Sequence, residues 1–522
     1  MTRPTTTGKA QDLITFTRST TGTALAKITY GEELVTNGDF SSDSDWTVTS
    51  YVNISNGKLN FNGVNTGFIG ASQPVAFVSG KAYSISIDVE NVTSGRWQVF
   101  VQRTSGDLII NSELVAGSFT GTYVADGTET SLYVSRNGAT VLVATVGNIS
   151  VKEVLYDQPD GTLQLFNHPI NKPRIEYDAS GNCLGLLMEE ARTNLALNSV
   201  NASSDNAATN ITQVANKANS LTGADDAFLL QANTAGASYT GQLTSVTSGT
   251  SYTASRFAKA GASNFAQLSM GTGGFGSAVF ANFDLNTGTV SQESNCAAVM
   301  TNMGSGWYRC SISKQAVATT FGTSPHYFSA VNSGTANARI SEAGNSVYFY
   351  GAQTETGAFP TSYIPTSGSA VTRSADVASL AVSEFGYNQD QGSFVVEFDH
   401  NDLNDESTQY LLSSTSSSRF IYNNASSQNW QAFDGQSALP FGNVLGNGLP
   451  VKLGLGMGSS ESISINNGVI QNTTNATPQD NAGSLLYFGL RYNGANSLNG
   501  HVKSIQYYPL RLSNAQLQAL TV

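Results

Sequence analysis

The chain has 522 residues, a formal net charge of −12 and a pI of about 4.8. That length exceeds what one core usually serves, so three or more domains are expected. The acidic balance disfavours nucleic acid and anionic membranes as partners.

Charged residues are 12% of the chain, with Gly, Ser, Thr and Asn filling the polar positions, while 40% hydrophobic and 10% aromatic residues suffice for packed cores. This combination excludes general disorder and suits β-sandwiches with Gly- and Asn-rich turns. Cys183, Cys296 and Cys310 are too few for a disulfide framework, and free thiols are expected even though Cys296 and Cys310 flank a turn at Gly304-Ser305-Gly306. The N-terminus has no apolar core of signal-peptide length, so no secretory route and no membrane insertion are expected.

Residues 1–32 read as a polar attachment arm followed by one extended segment, Leu13 to Arg18. From Glu33 short alternating runs begin: Tyr83 to Val89, Trp97 to Val101, Leu132 to Val134 and Val146 to Val154. Turns separate them in the manner of an antiparallel sandwich. Residues 156–193 form a connecting block that contains the densest apolar run, Leu184, Leu186, Leu187 and Met188, backed by Glu189, Glu190 and Arg192. The run is too short to span a membrane and predicts a strand ending in a short helical turn, wedged between two modules. Adjacent carboxylates on a strand point to opposite faces, so Glu189 and Glu190 suggest an ion-pair network rather than catalysis.

Self-comparison gives the organisation of the first two thirds. NGDFSSDSDW has an echo in NSVNASSDNA, VSGKAYSISIDVENVTSG aligns with VTSGTSYTASRFAKAGAS, and VGNISVKEV aligns with VYFYGAQTETG, in the same order in both halves. Two copies of one jelly-roll module are expected, at 33–155 and 194–360. A linker marked by Pro360 and Pro365 fills 361–384, and its VTRSADV resembles the early FTRST closely enough to predict that these segments pair. The last unit, 385–522, has strands from FVVEF onward, a hairpin signal at Asn466-Asn467-Gly468, and a closing helix with Ser513 as N-cap, Gln516 three residues on and Leu517 and Leu520 on one face.

These segments carry a family likeness. NGDFSSDSDW with GNISVKEV resembles carbohydrate-binding modules of the galactose-binding-like class. PRIEYDASGNCLGLLMEEARTNLALNS, GWYRCSI and GAQTETGAFPTSYIPTSGSAVTRSADV resemble segments of bacteriophage virion proteins from tail fibres or head appendages, and GHVKSIQYYPLRLSNAQLQAL resembles the end of concanavalin A-like, laminin-G-type domains. The resemblance implies an all-β protein: two jelly-roll sandwiches, a concanavalin A-like sandwich and a short C-terminal helix. It further implies a virion location, a homotrimer, contact with other virion proteins through the N-terminal arm, and host-surface polysaccharide as partner.

Candidate sites follow from side-chain parity. In Arg96 to Gln102, burying Trp97, Val99 and Val101 turns Gln98, Phe100 and Gln102 outward, and neighbouring runs add Ser86, Asp88 and Tyr133. Exposed rings stack on pyranose faces and amides satisfy hydroxyls, so this face suits a sugar; the competing reading is packing against a module or subunit. Trp46 and Trp307 read as core, whereas Trp430 is expected to line a loop-borne pocket with Tyr422 and Phe433. Asp402, Asn404 and Glu406 offer oxygen donors at alternate positions for calcium, against the plainer reading of a solvated turn. No other cofactor is implied: His168, His326, His400 and His501 lack zinc-ligand spacing. No nucleophile elbow or phosphate loop appears, so a binding protein is expected, with a purely structural virion protein and a polysaccharide-degrading enzyme as alternatives.

Overall fold

The computed structural model describes the chain outside residues 1–13, 64–66, 201–206, 219–220, 225, 401–407, 415–419, 425–428, 434–436, 443, 445–448 and 475–482. The fold is all-β with short helical elements. It has two compact units: Ala26–Leu165 with Ala215–Ala227, and Met1–Leu25 with Phe166–Val214 and Phe228–Val522.

The smaller unit holds the first sandwich. One sheet runs in the order Lys58–Asn62, Val143–Tyr156, Ala82–Ser94, Gly117–Val124; the other runs Gly70–Gln73, Glu129–Asn137, Arg96–Arg103, Leu108–Glu113. Alternation builds the core directly: Tyr83, Ile85, Ile87 and Val89 are buried while Ser84, Ser86 and Asp88 face away. Trp97, Val99 and Val101 enter from the opposing sheet. Each such side chain contributes roughly 1.5–3 kcal/mol through its burial.

A second sandwich lies in the larger unit. Its sheets run Ala227–Ala232, Ser346–Thr356, Ser251–Ala260, Trp307–Gln315, and Thr240–Val246, Thr320–Val331, Phe265–Met270, Val279–Asp284. The strand orders match those of the first sandwich position by position. The sequence echoes fall on corresponding strands, and those strands pair in both places: Ala82–Ser94 with Val143–Tyr156, and Ser251–Ala260 with Ser346–Thr356. The remaining echo runs into residues 201–206, outside the described residues. The second sandwich adds two consecutive strands, Thr289–Ser294 and Ala297–Gly304, one at the edge of each sheet. Cys310 is buried within it, Cys296 is half-buried and Cys183 exposed, and all are free thiols.

The C-terminal sandwich completes the larger unit. One sheet contains Thr15–Thr17, Val377–Ala381, Leu485–Phe488, Gln409–Ser414, Phe420–Asn424, Asn429–Phe433 and Ala438–Pro440 in that order. The other contains Ile175–Tyr177, Cys183–Met188, Gly500–Tyr508, Gly392–Phe398, Val451–Met457, Ser462–Asn466 and Val469–Thr474. Asn467 and Gly468 at φ +44° and +76° make the tight turn of the last hairpin. Helix Asn514–Leu520 starts at a capping box of Ser513 and Gln516 and buries Leu517, as predicted.

The connecting block departs from its expected form. Leu186, Leu187 and Met188 pair with Val502, His501 and Gly500, so this segment, expected as a wedge between modules, is built into a sheet of the C-terminal sandwich. No helical turn follows it. The Glu189 N–H donates to Asp376 Oδ2 at 3.0 Å, a bond that holds the backbone extended, and Arg192–Asn194 then pairs with Val371–Arg373. The arm is likewise intramolecular where it is described: Thr15 and Thr17 stand opposite Ser379 and Val377, the pairing that FTRST and VTRSADV predicted.

Candidate functional site

The outward face of the first sandwich is built by register. Tyr133 stands opposite Phe100, and Ile109 stands opposite Phe100 on its other side. The Phe100 and Tyr133 rings lie parallel, 4.8 Å apart, and Phe68 meets Tyr133 edge-on at 5.8 Å. Phe68, Tyr133, Phe100 and Ile109 thus form an apolar strip across the strands, with Phe68 54% and Ile109 52% exposed. Amides flank the strip. Gln98 Nε2 donates to Ser135 Oγ at 2.9 Å, and Gln102 Oε1 accepts from Tyr133 Oη at 3.3 Å and Thr130 Oγ1 at 3.2 Å.

Three members of the predicted face, Phe100, Asp88 and Ser86, are placed differently. Phe100 faces outward as its parity requires but is only 5% exposed, because Tyr133 lies against it and Ile109 stands across from it. It backs the platform that Tyr133 and Phe68 present. Asp88 and Ser86 belong to the other sheet, Asp88 opposite Ser118 and Asn148 and Ser86 opposite Thr120 and Ser150, so the thickness of the sandwich separates them from Phe100. The cause is Gly95, at φ +81° with the Val141 carbonyl oxygen 2.4 Å from where a Cβ would sit; there the chain turns from one sheet to the other. Phe68 lies in a loop with no alternation to mark it, so parity does not reveal it.

Trp430 is core. It is 2% exposed, packs edge-to-face on Phe398 at 4.7 Å and points its indole N–H at His400 Nε2, 3.4 Å away. Tyr422 stands opposite Gln431, on the other face of the strand, so the expected pocket does not form. Asp402, Asn404 and Glu406 lie outside the described residues, and among the described residues no group of His, Cys, Asp and Glu could hold a metal. Trp46 and Trp307 are buried, at 7% and 1% exposure.

The same face of the second sandwich is closed. Gln267 and Asn282, outward on their strands, are fully buried beneath residues 332–345. Asn282 Nδ2 donates to the Gly334 and Ala336 carbonyls at 3.1 and 2.9 Å, and Gln267 Oε1 accepts from the Arg339 N–H. The Arg339 guanidinium covers Tyr327 at 4.6 Å. In the first sandwich the corresponding connection spans only residues 138–142 and leaves the aromatic strip open.

The charges around the connecting block gather in the larger unit. Arg18 Nη1 pairs with Asp376 at 3.0 Å, Arg174 pairs with Asp376 and with Glu189 at 2.9 Å, and Arg373 reaches Glu189 at 3.3 Å. Ser362 donates its N–H and hydroxyl to Glu189 at 2.7 and 2.6 Å. Burial pushes Glu189 up, but Arg373, Arg174 and Ser362 together hold it well below the usual carboxylate range. Burial, then Arg174, lowers Arg18 to about 10 despite Asp376. The parity prediction holds: Glu189 is 6% exposed, while Glu190 turns to Arg192 and Asn499.

No family model and no curated protein matches the chain. Among solved structures it is similar to the CBM40 of the Ruminococcus gnavus IT-sialidase bound to α2,3-sialyllactose, at 16% identity over 26% of this chain and 84% of that one, TM-score 0.22. It is also similar to the CBM22-1–CBM22-2 tandem of Paenibacillus barcinonensis Xyn10C, at 13% identity over 63% and 98%, TM-score 0.21. Trypanosoma rangeli sialidase gives 10% identity over 97% and 94%, TM-score 0.23. At such TM-scores the likeness carries no weight for the site, and the functional reading stands on the geometry of the first sandwich.

Proposed function

We propose that the first sandwich binds a glycan on the strip formed by Phe68, Tyr133, Phe100 and Ile109, and that the protein is a non-catalytic adhesin on the surface of a phage particle. The observation that carries the binding is the contrast between copies: one sheet face is roofed by its own loop, and the equivalent face presents aromatic rings between amides. A pyranose ring offers an apolar face for Tyr133 and Phe68, and Gln98 and Gln102 supply donors and acceptors for its hydroxyls.

The virion setting rests on the resemblance of the connecting block and the Pro-marked linker to tail-fibre and appendage segments. In that setting the chain assembles as a homotrimer, attaches to other virion proteins through its N-terminal residues and touches host-surface polysaccharide. Several copies on one particle turn weak sites into useful avidity, with gains of about a hundredfold or more.

A glycan array probed with the full chain tests the binding. Retention of a glycan that is lost in Tyr133→Ala and Phe68→Ala supports the proposal. Failure to retain any glycan favours a purely structural virion protein. Shortening of host polysaccharide on incubation, followed by product sizing, would replace the binding reading with an enzymatic one.

A further inference from the structure

Arg373 is 1% exposed, and its guanidinium is committed on two nitrogens: Nη1 to the Ser374 carbonyl at 3.2 Å, and Nη2 to the Glu190 carbonyl at 2.8 Å and Glu189 at 3.3 Å. Its Nε–H is buried and has no acceptor among the described residues. Arg373 lines a cavity of about 120 Å³ together with Thr20, Thr21, Thr372, Asn167 and Tyr363. The buried side-chain oxygen of Asn167 likewise has no partner among the described residues. The oxygen and nitrogen of an amide exchange places by a flip, so Asn167 can present its NH₂ there instead.

The charge beside the cavity is unbalanced. The cluster sets the guanidiniums of Arg18, Arg174 and Arg373 against the carboxylates of Glu189 and Asp376. The other nearby acids have cations of their own: Glu190 pairs with Arg192, and Glu355, hydrogen-bonded by the Thr361 N–H and hydroxyl, lies within electrostatic reach of Arg309. Uncompensated charge in a buried setting is costly, and a bound counter-charge removes that cost.

We propose that this cavity is a binding site for a small oxyanion of the phosphate or sulfate type. Arg373 Nε–H and the hydroxyls of Thr20 and Thr21 supply the donors. Thr20 Oγ1 already accepts from the Ser374 N–H at 2.9 Å, and so keeps its own proton to give. A single water needs only about 10–15 Å³ of such space, so the cavity has room for a small tetrahedral anion. The site lies in the larger unit and is independent of the glycan face.

Calorimetric titration of the full chain with inorganic phosphate, and with sodium chloride at equal ionic strength, tests the site. The expected result is saturable binding near one phosphate per chain, with a melting temperature that rises and levels off, and no such effect from chloride. Asn167→Leu and Thr21→Val leave the ion pairs in place and should weaken phosphate at least about tenfold, the scale of one lost charge-assisted hydrogen bond. Arg373→Gln should abolish it where the variant folds. No saturable heat, an equal effect of chloride, or unchanged affinity in both Asn167→Leu and Thr21→Val would overturn the proposal.

Discussion

Arg18 and Asp376 meet at 3.0 Å although 358 positions separate them in the chain, and neither side chain is reached by solvent. Asp376 also takes Arg174 and the Glu189 N–H, so it is the hub that joins the first strand, the connecting block and the linker within the larger unit. Asp376→Asn keeps the shape and strands buried guanidiniums without a counter-charge. It should cost about 3–5 kcal/mol in denaturant unfolding of the larger unit. Arg18→Met should cost less, since it leaves the remaining charges balanced; an equal or larger loss would count against the hub role.

Tyr133→Ala should abolish glycan retention while leaving the melting temperature of the first sandwich within a few degrees, since Tyr133 is only half-buried. Trp430→Ala should do the reverse, costing about 3–5 kcal/mol in stability with binding intact. Because residues 332–345 close the second face, titration calorimetry should give one glycan per chain. Two equivalent sites would contradict the contrast between the copies.

His501 stands between Glu176, 2.8 Å from Nε2, and Asp399, 2.9 Å from Nδ1. Burial pulls its pKa down, but hydrogen bonds to Asp399 and Glu176 and their charges raise it to about 10. A raised histidine pKa contributes stability that is fully present below the ordinary value of 6.5 and is lost as pH rises through about 10. Stability of the larger unit should therefore fall from pH 6.5 to 10 with the uptake of close to one proton linked to folding. That slope should be missing in His501→Gln, as followed by denaturant unfolding at each pH.

Gly95→Ala should destabilise the first sandwich by more than about 1 kcal/mol, because it combines a positive φ with a Cβ driven into the Val141 carbonyl. Gly80→Ala also has a positive φ, but nothing lies within 4 Å of its Cβ, so it should cost less. Thermal melts of the two variants separate steric clash from backbone strain.

Local pattern accounts for what the sequence revealed. AYSISIDV declares its buried face by alternation, Ser513 and Gln516 declare a helix start, and the shared wording of FTRST and VTRSADV predicts their pairing. The errors arise where a side chain's surroundings depend on the partner strand. Asp88 and Phe100 are near in sequence, but the Gly95 turn sends their strands to different sheets. Parity places Trp430 opposite Gln431 without saying which of them faces the core. Leu186 and Leu187 look like the heart of a hinge until Val502 and His501 are known to be their neighbours, and no periodicity encodes a partner so distant in the chain.

That distance bears on biosynthesis. A ribosome delivers Cys183–Met188 long before Gly500–Tyr508, so the row Leu186-Leu187-Met188 waits uncovered while more than half the polypeptide is made. Such distant pairings close slowly and leave sticky edges open to other nascent chains. Premature termination upstream of Gly500 would leave the row bare for good, and a fragment of that kind should collect in aggregates and bind folding helpers.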